Sequence, residues 1–112
     1  MVDPDAGGTV PEIGIDAARH LVAEQGAVVI DVREAGELAE TGKLAGALHV
    51  PLGAVEAAAP GLPRDVPILL YCRAGVRSAA AGATLRALGF ERLFNLGGFA
   101  RIADAGWPVE SA

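Results

Sequence analysis

The chain has 112 residues, a formal net charge of −5, 52% hydrophobic residues and 4% aromatics. Such a length suits one domain able to bury about two thirds of the surface its unfolded form exposes, and an acidic balance with Lys43 as the one lysine argues against a nucleic-acid surface. A single cysteine, Cys72, excludes an internal disulfide and suits a reducing compartment. Residues 1–8 are acidic and lack the apolar segment of a signal peptide, and no apolar run approaches the ~20 residues of a membrane span, so a cytoplasmic location without a membrane partner is expected.

In chain order, residues 1–11 are polar and rich in Gly and Pro and read as a flexible tail, with the folded domain over 12–110. Residues 12–15 form a candidate edge strand. Asp16 reads as the N-cap of a helix that Gly26 stops, with His20 on its surface. Ala27-Val28-Val29-Ile30-Asp31 is a β-branched apolar run expected to be covered on both faces. A short helix over 34–41 follows, then a third strand over 44–50 broken by Pro51, a helical turn over 53–58 and a loop over 60–63. Ile68 to Tyr71 is the fourth strand. Ser78 reads as the N-cap of a helix to Leu88, stopped by Gly89. Residues 92–96 make a fifth strand, Gly97-Gly98 a turn and 99–105 a last helix, with the ordered part ending at Trp107-Pro108-Val109. Strands alternate with helices and no repeat is visible, which predicts an α/β domain with a mostly parallel sheet and right-handed crossovers.

The chemistry concentrates between the fourth strand and the helix after it, in Cys72-Arg73-Ala74-Gly75-Val76-Arg77-Ser78. A strand-to-helix turn aims backbone N–H groups inward and the helix N-terminus adds partial positive charge, a field that favours thiolate over thiol at Cys72. Arg73 is expected to face solvent and steer an anionic donor. Arg77 has two readings, a bidentate oxyanion binder or a clamp on the loop. Ser78 caps the helix and is a further candidate donor to the sulfur, and Gly75 is expected to allow a backbone geometry other residues resist. Ligands of open α/β sheets bind beyond the carboxyl ends of strands, so Asp31 and Arg33, at the end of the second strand, are supporting candidates. Asp31 reads as a holder of loop backbone. Arg33 and Glu37, four apart, read as a structural pair. His49 reads as a hydrogen-bonded packing histidine. The chain offers no Cys/His cluster, so no metal is expected.

Asp31-Val32-Arg33-Glu34, Gly46 to Leu52, Cys72 to Ser78, Leu96-Gly97-Gly98 and Gly106 to Val109, in this order, resemble a single-domain rhodanese, a sulfurtransferase. The resemblance covers residues 12–109. It implies a three-layer α/β/α fold with a five-stranded parallel sheet of order 3-2-4-5-1, and a persulfide on Cys72. It implies a small anionic sulfur donor such as thiosulfate, cyanide or a thiol as acceptor, and no cofactor. Ile102 stands where many members have tryptophan, and the tryptophan here is Trp107. Two other functions compete. One is a persulfide carrier serving a protein partner. The other is a cysteine phosphatase or arsenate reductase, whose loops place five residues between cysteine and arginine, where this chain places only 73–76 between Cys72 and Arg77.

Overall fold

The computed structural model describes residues 10–112. The elements run α1 (Ile15–Gln25), β1 (Val28–Asp31), α2 (Ala35–Thr41), β2 (Lys43–Leu44), β3 (Leu48–His49), α3 (Val55–Ala58), β4 (Ile68–Cys72), α4 (Val76–Ala87), β5 (Leu93–Gly98), α5 (Phe99–Asp104) and β6 (Val109–Glu110). Short 3-10 turns flank α3 on both sides.

The main sheet is parallel and four-stranded, in the order β3-β1-β4-β5. The five-stranded sheet expected from the sequence is therefore one strand short. At the place of the first strand Glu12 makes a single parallel bridge to Asn95, and the chain turns into α1 at Ile15, too soon to continue the ladder. Asp16 is not the N-cap of that helix. Gly14 holds the position and Asp16 lies in the first turn, where its charge suits the helix dipole. The third strand expected over 44–50 is split. Its first half, β2, turns away to pair antiparallel with β6, so order extends past Val109.

Alternate residues of the all-buried β4 serve two cores. Ile68, Leu70 and Cys72 pack with Ala81 and Leu85 of α4 and Val55 of α3. Leu69 and Tyr71 pack on the other face with Ala18 of α1, Ile102 of α5 and Trp107. The result is three layers, helix on sheet on helix. Ile102 is fully buried in the second core, and Trp107 fills the space beside it from two residues before β6.

Residues 1–9 of the expected tail lie outside the described part. Val10 and Pro11 are not loose: Val10 is 2% exposed in the first core, and the Pro11 carbonyl accepts from Asn95 N at 2.8 Å. Val10 sits over Gly82 of α4, where a Cβ would lie 2.7 Å from Val10 Cγ2. Alanine is the better helix former by about 1 kcal/mol, but overpacking costs about 1–3 kcal/mol. Gly82→Ala is therefore expected to lower stability in denaturant titrations, and Val10→Ala in the same chain to restore part of the loss. Stabilisation by Gly82→Ala alone would place Val10 elsewhere.

Candidate active site

β4 ends at Cys72, and α4 begins only four residues later at Val76. The tightness of this turn decides the site. Gly75 is the residue before the helix, with φ +91°, a region L side chains rarely adopt. Its N–H donates to Cys72 Sγ at 3.0 Å. Because the helix already starts at Val76, Ser78 is not its N-cap but its third residue, buried, with the hydroxyl 3.5 Å from Cys72 Sγ. Burial of the sulfur works against its ionisation. The Ser78 hydroxyl and the N–H groups of Ser78, Ala74 and Gly75 outweigh it, and the thiol is shifted below its ordinary range. Cys72 is 1% exposed, so these donors and not bulk water surround the sulfur.

The loop rests on the end of β5. Cys72 is in register with Gly98. A Cβ at Gly98 would lie 2.7 Å from the Arg73 carbonyl. Gly97-Gly98 is thus not a turn: both residues belong to β5, and their bareness lets the cysteine loop lie against the strand. A register shift beside Leu70 and Tyr71 brings Asn95 opposite Leu70 and Gly97 opposite Tyr71. Asn95, 7% exposed, reaches the loop. Its Nδ2 donates to the Gly75 carbonyl at 3.0 Å, and its Oδ1 accepts from Ser78 Oγ at 2.8 Å and from Gly97 N at 3.0 Å. Sequence reasoning missed Asn95. The available signal was an amide inside the otherwise apolar run Leu93-Phe94-Asn95-Leu96.

Arg77 and Glu37 form the second support. Arg77 Nη1 and Nη2 donate to Glu37 Oε1 and Oε2 at 2.6 and 2.8 Å. Glu37 also sits at the third position of α2 and accepts from Glu34 N at 3.0 Å, closing a capping box. These bonds, Arg77 first, hold the Glu37 carboxyl down at about 2, and the carboxylate raises the Arg77 guanidinium above its ordinary range. The expected Arg33–Glu37 pair does not form. Arg33 lies two residues ahead of α2, at a bend outside the helix, so the one-turn spacing of a helix does not apply to it. Arg33, 2% exposed, instead forks onto Asp31 at 2.7 to 3.1 Å. It also reaches Thr41 Oγ1 at 2.8 Å and the Gly42 carbonyl at 2.9 Å, with its guanidinium 4.3 Å from the Phe99 ring centroid. Asp31 does hold loop backbone, accepting from Arg33 N at 2.9 Å. His49 Nε2 donates to the Arg33 carbonyl at 2.7 Å.

Of the residues singled out from the sequence, Cys72, Gly75 and Ser78 meet at the sulfur, and Arg77 of α4 is paired with Glu37 of α2. Arg73, Ala74 and Val76 are wholly or partly exposed around the loop. Asp31 and Arg33 build the neighbouring strand end. Among the described residues no three His, Cys, Asp or Glu side chains converge to hold a metal ion.

Glu37 is ionised in the fold down to about 2 but takes up its proton near 4.3 when unfolded. Its carboxyl is depressed, so the pair adds stability above about pH 4.3 that is lost as pH falls toward 2. The pair is partly solvated, which limits its worth to about 1 kcal/mol. Glu37→Gln should lower the melting temperature at pH 7 and lower it clearly less at pH 2; equal losses at both would assign the effect to packing.

A family model described as a rhodanese-like domain matches residues 15–105. The thiosulfate sulfurtransferase GlpE of Pseudomonas putida (strain GB-1) is 33% identical over 97 residues, 87% of each chain. The putative sulfur carrier protein YrkF of Bacillus subtilis is 34% identical over 79% of this chain, which spans only 48% of that relative. Among solved structures, a rhodanese-related protein from Thermoplasma volcanium superposes with a TM-score of 0.78 at 27% identity, over 92% of this chain and all of the other. With the sheet order, the cysteine loop and this match over most of its length, the chain belongs to the family of rhodanese-like domains.

Proposed function

We propose that this protein is a thiosulfate sulfurtransferase carrying a sulfane sulfur as a persulfide on Cys72. The observation that supports it most is the pair of donors on one buried sulfur, the Gly75 N–H at 3.0 Å and the Ser78 hydroxyl at 3.5 Å, with no carboxylate beside them. Such a cradle keeps a thiolate ready without a general base.

The reaction has two halves. The Cys72 thiolate attacks the outer sulfur of thiosulfate, the new S–S bond forms, and the old one breaks with its electron pair leaving on sulfite. The persulfide then gives its outer sulfur to a nucleophile, cyanide in an assay or a thiol in the cell, and Cys72 leaves as thiolate again. Exposed Arg73 steers the donor anion. Arg77, committed to Glu37 through both nitrogens, serves as the clamp rather than the oxyanion binder. A cysteine phosphatase would need that arginine and the loop N–H groups for a phosphoryl group. Here the Gly75 N–H donates to the sulfur and the arginine is engaged, which favours sulfur transfer. The carrier reading uses the same persulfide with a protein acceptor, and YrkF keeps it open.

Thiosulfate is expected to raise the intact mass of the wild type by one sulfur, and cyanide to remove it. Cys72→Ser should show neither, with an unchanged fold. Residual thiosulfate:cyanide activity in that variant, or faster turnover of an aryl phosphate than of thiosulfate by the native chain, would overturn the proposal. Turnover only with a protein acceptor would move it to the carrier reading.

Arg73→Ala is expected to raise KM for thiosulfate several-fold at low salt with kcat nearly unchanged, and the effect should shrink as salt screens the anion. A salt-independent loss of kcat would give Arg73 a role in the chemistry instead.

A further inference from the structure

Ser78 Oγ stands between two acceptors, Asn95 Oδ1 at 2.8 Å and Cys72 Sγ at 3.5 Å, and it has one proton to give. The Asn95 amide cannot turn over to change this. Flipped, its NH2 would face the Gly97 N–H and its oxygen the Gly75 carbonyl, donor against donor and acceptor against acceptor. Asn95 Oδ1 is therefore a fixed rival for the Ser78 proton. The rivalry is confined: Ser78 is fully buried, Asn95 nearly so, and both lie behind the loop.

We propose that Asn95 is a positioning residue for the sulfur, whose Oδ1 competes with Cys72 Sγ for the Ser78 hydroxyl proton and yields it only while that sulfur is charged. With Cys72 a thiol, the hydroxyl donates to Asn95. When the thiolate forms, the hydroxyl rotates and donates to sulfur, while Asn95 Oδ1 keeps the Gly97 N–H. In the persulfide the charge sits on the outer sulfur, Sγ is uncharged, and the hydroxyl returns to Asn95. When the outer sulfur departs, the hydroxyl swings back to the leaving thiolate. The rotation breaks no covalent bond and moves no proton to or from solvent. Asn95 thus makes the thiolate less stabilised than Ser78 alone would, and so more nucleophilic.

The charged and titratable groups near this sheet end come from several elements. α4 brings Arg77, held by Glu37 of α2, and Arg77 interacts electrostatically with Cys72. The loop brings Arg73, β1 leads to Asp31 and Arg33, and the segment ahead of α1 brings Glu12, bridged to Asn95 through its backbone and lining the same cavity as Asn95. β3 brings His49 on the Arg33 carbonyl. β4 brings Tyr71, whose hydroxyl faces Leu44 N, and α5 brings Arg101, on the Leu96 carbonyl. None of them touches Ser78 Oγ or Asn95 Oδ1, so they form a common background for the variants below.

The part in turnover rests on the sulfur-transfer reading, but the hydrogen-bond competition is tested without activity. The thiolate absorbance of the full chain, corrected with Cys72→Ser, is titrated against pH. Asn95→Ala removes the competing acceptor and should lower the Cys72 midpoint by about 0.5–1 pH unit, the worth of one hydrogen bond. If Asn95 merely braces the loop, losing its bond to Gly75 lets the N–H donors drift from the sulfur and the midpoint rises. A rise or no change overturns the proposal. With Ser78→Ala already present, Asn95→Ala should no longer lower the midpoint, and a fall of the same size there would overturn it too. A readout independent of any Asn95 variant is NMR of the wild type. The Asn95 side-chain amide and Gly97 N–H resonances should titrate with the Cys72 midpoint and lose that response in Ser78→Ala. Resonances indifferent to the ionisation of Cys72 in the wild type would end the proposal.

Discussion

The burial of an ionisable sulfur at the end of a central strand is the constraint the rest of this structure serves. Cys72 continues β4 into the core and is closed off from solvent, which alone would keep its proton on. The fold answers with donors rather than with a neighbouring base. Starting α4 only four residues after the cysteine points the Gly75 N–H back at the sulfur, at a backbone geometry that glycine tolerates at position 75. Each donor is a backbone group or a fully buried hydroxyl, so little reorganises when the sulfur gains charge.

Such a loop would be floppy in isolation, and three neighbours hold it. Below, Gly98 lets the loop carbonyl of Arg73 approach β5 more closely than any Cβ would permit. Behind, Asn95 ties the Gly75 carbonyl, Ser78 and Gly97 to one amide. At the side, Glu37 caps α2 and grips Arg77, joining two helix N-termini through one carboxylate. The Glu37–Arg77 pair is half-buried and its charges keep contact with water, so its contribution lies in geometry and pH range more than in energy. The Asp31–Arg33 pair is different. Both side chains are removed from solvent, and every bond counts because an unpaired member would be costly. It fixes the end of β1 beside the cysteine strand without touching the sulfur.

Much of this was legible in the residues. The apolar runs at 27–31 and 68–71, the glycine stops at 26 and 42, and the alternation of strands with helices follow from periods and backbone preferences that act within a few residues. The single cysteine at a strand end with an arginine-flanked, glycine-bearing loop likewise pointed to an activated thiolate. These features depend on local chemistry, and tertiary packing bears out the strands, the glycine stops and the alternation.

The pairings were another matter. Arg33 and Glu37 looked like partners at helical spacing, yet their real partners, Asp31 and Arg77, were chosen by where α2 begins and where β1 lies beside β4. Gly97-Gly98 looked like a turn because nothing in a glycine pair says that another loop will lie on it. Asn95 gave one weak sign, an amide in an apolar strand, and its role emerged only when a register shift set it against Gly75 and Ser78. The sequence by itself determined the class of fold and singled out the Cys72 sulfur as the candidate reactive atom, because helix, strand and thiolate preferences are short-range. Which groups support that atom was decided only by the tertiary structure, because hydrogen-bond partners 17, 20 and 40 residues apart are brought together by strand order and register, quantities that no local pattern encodes.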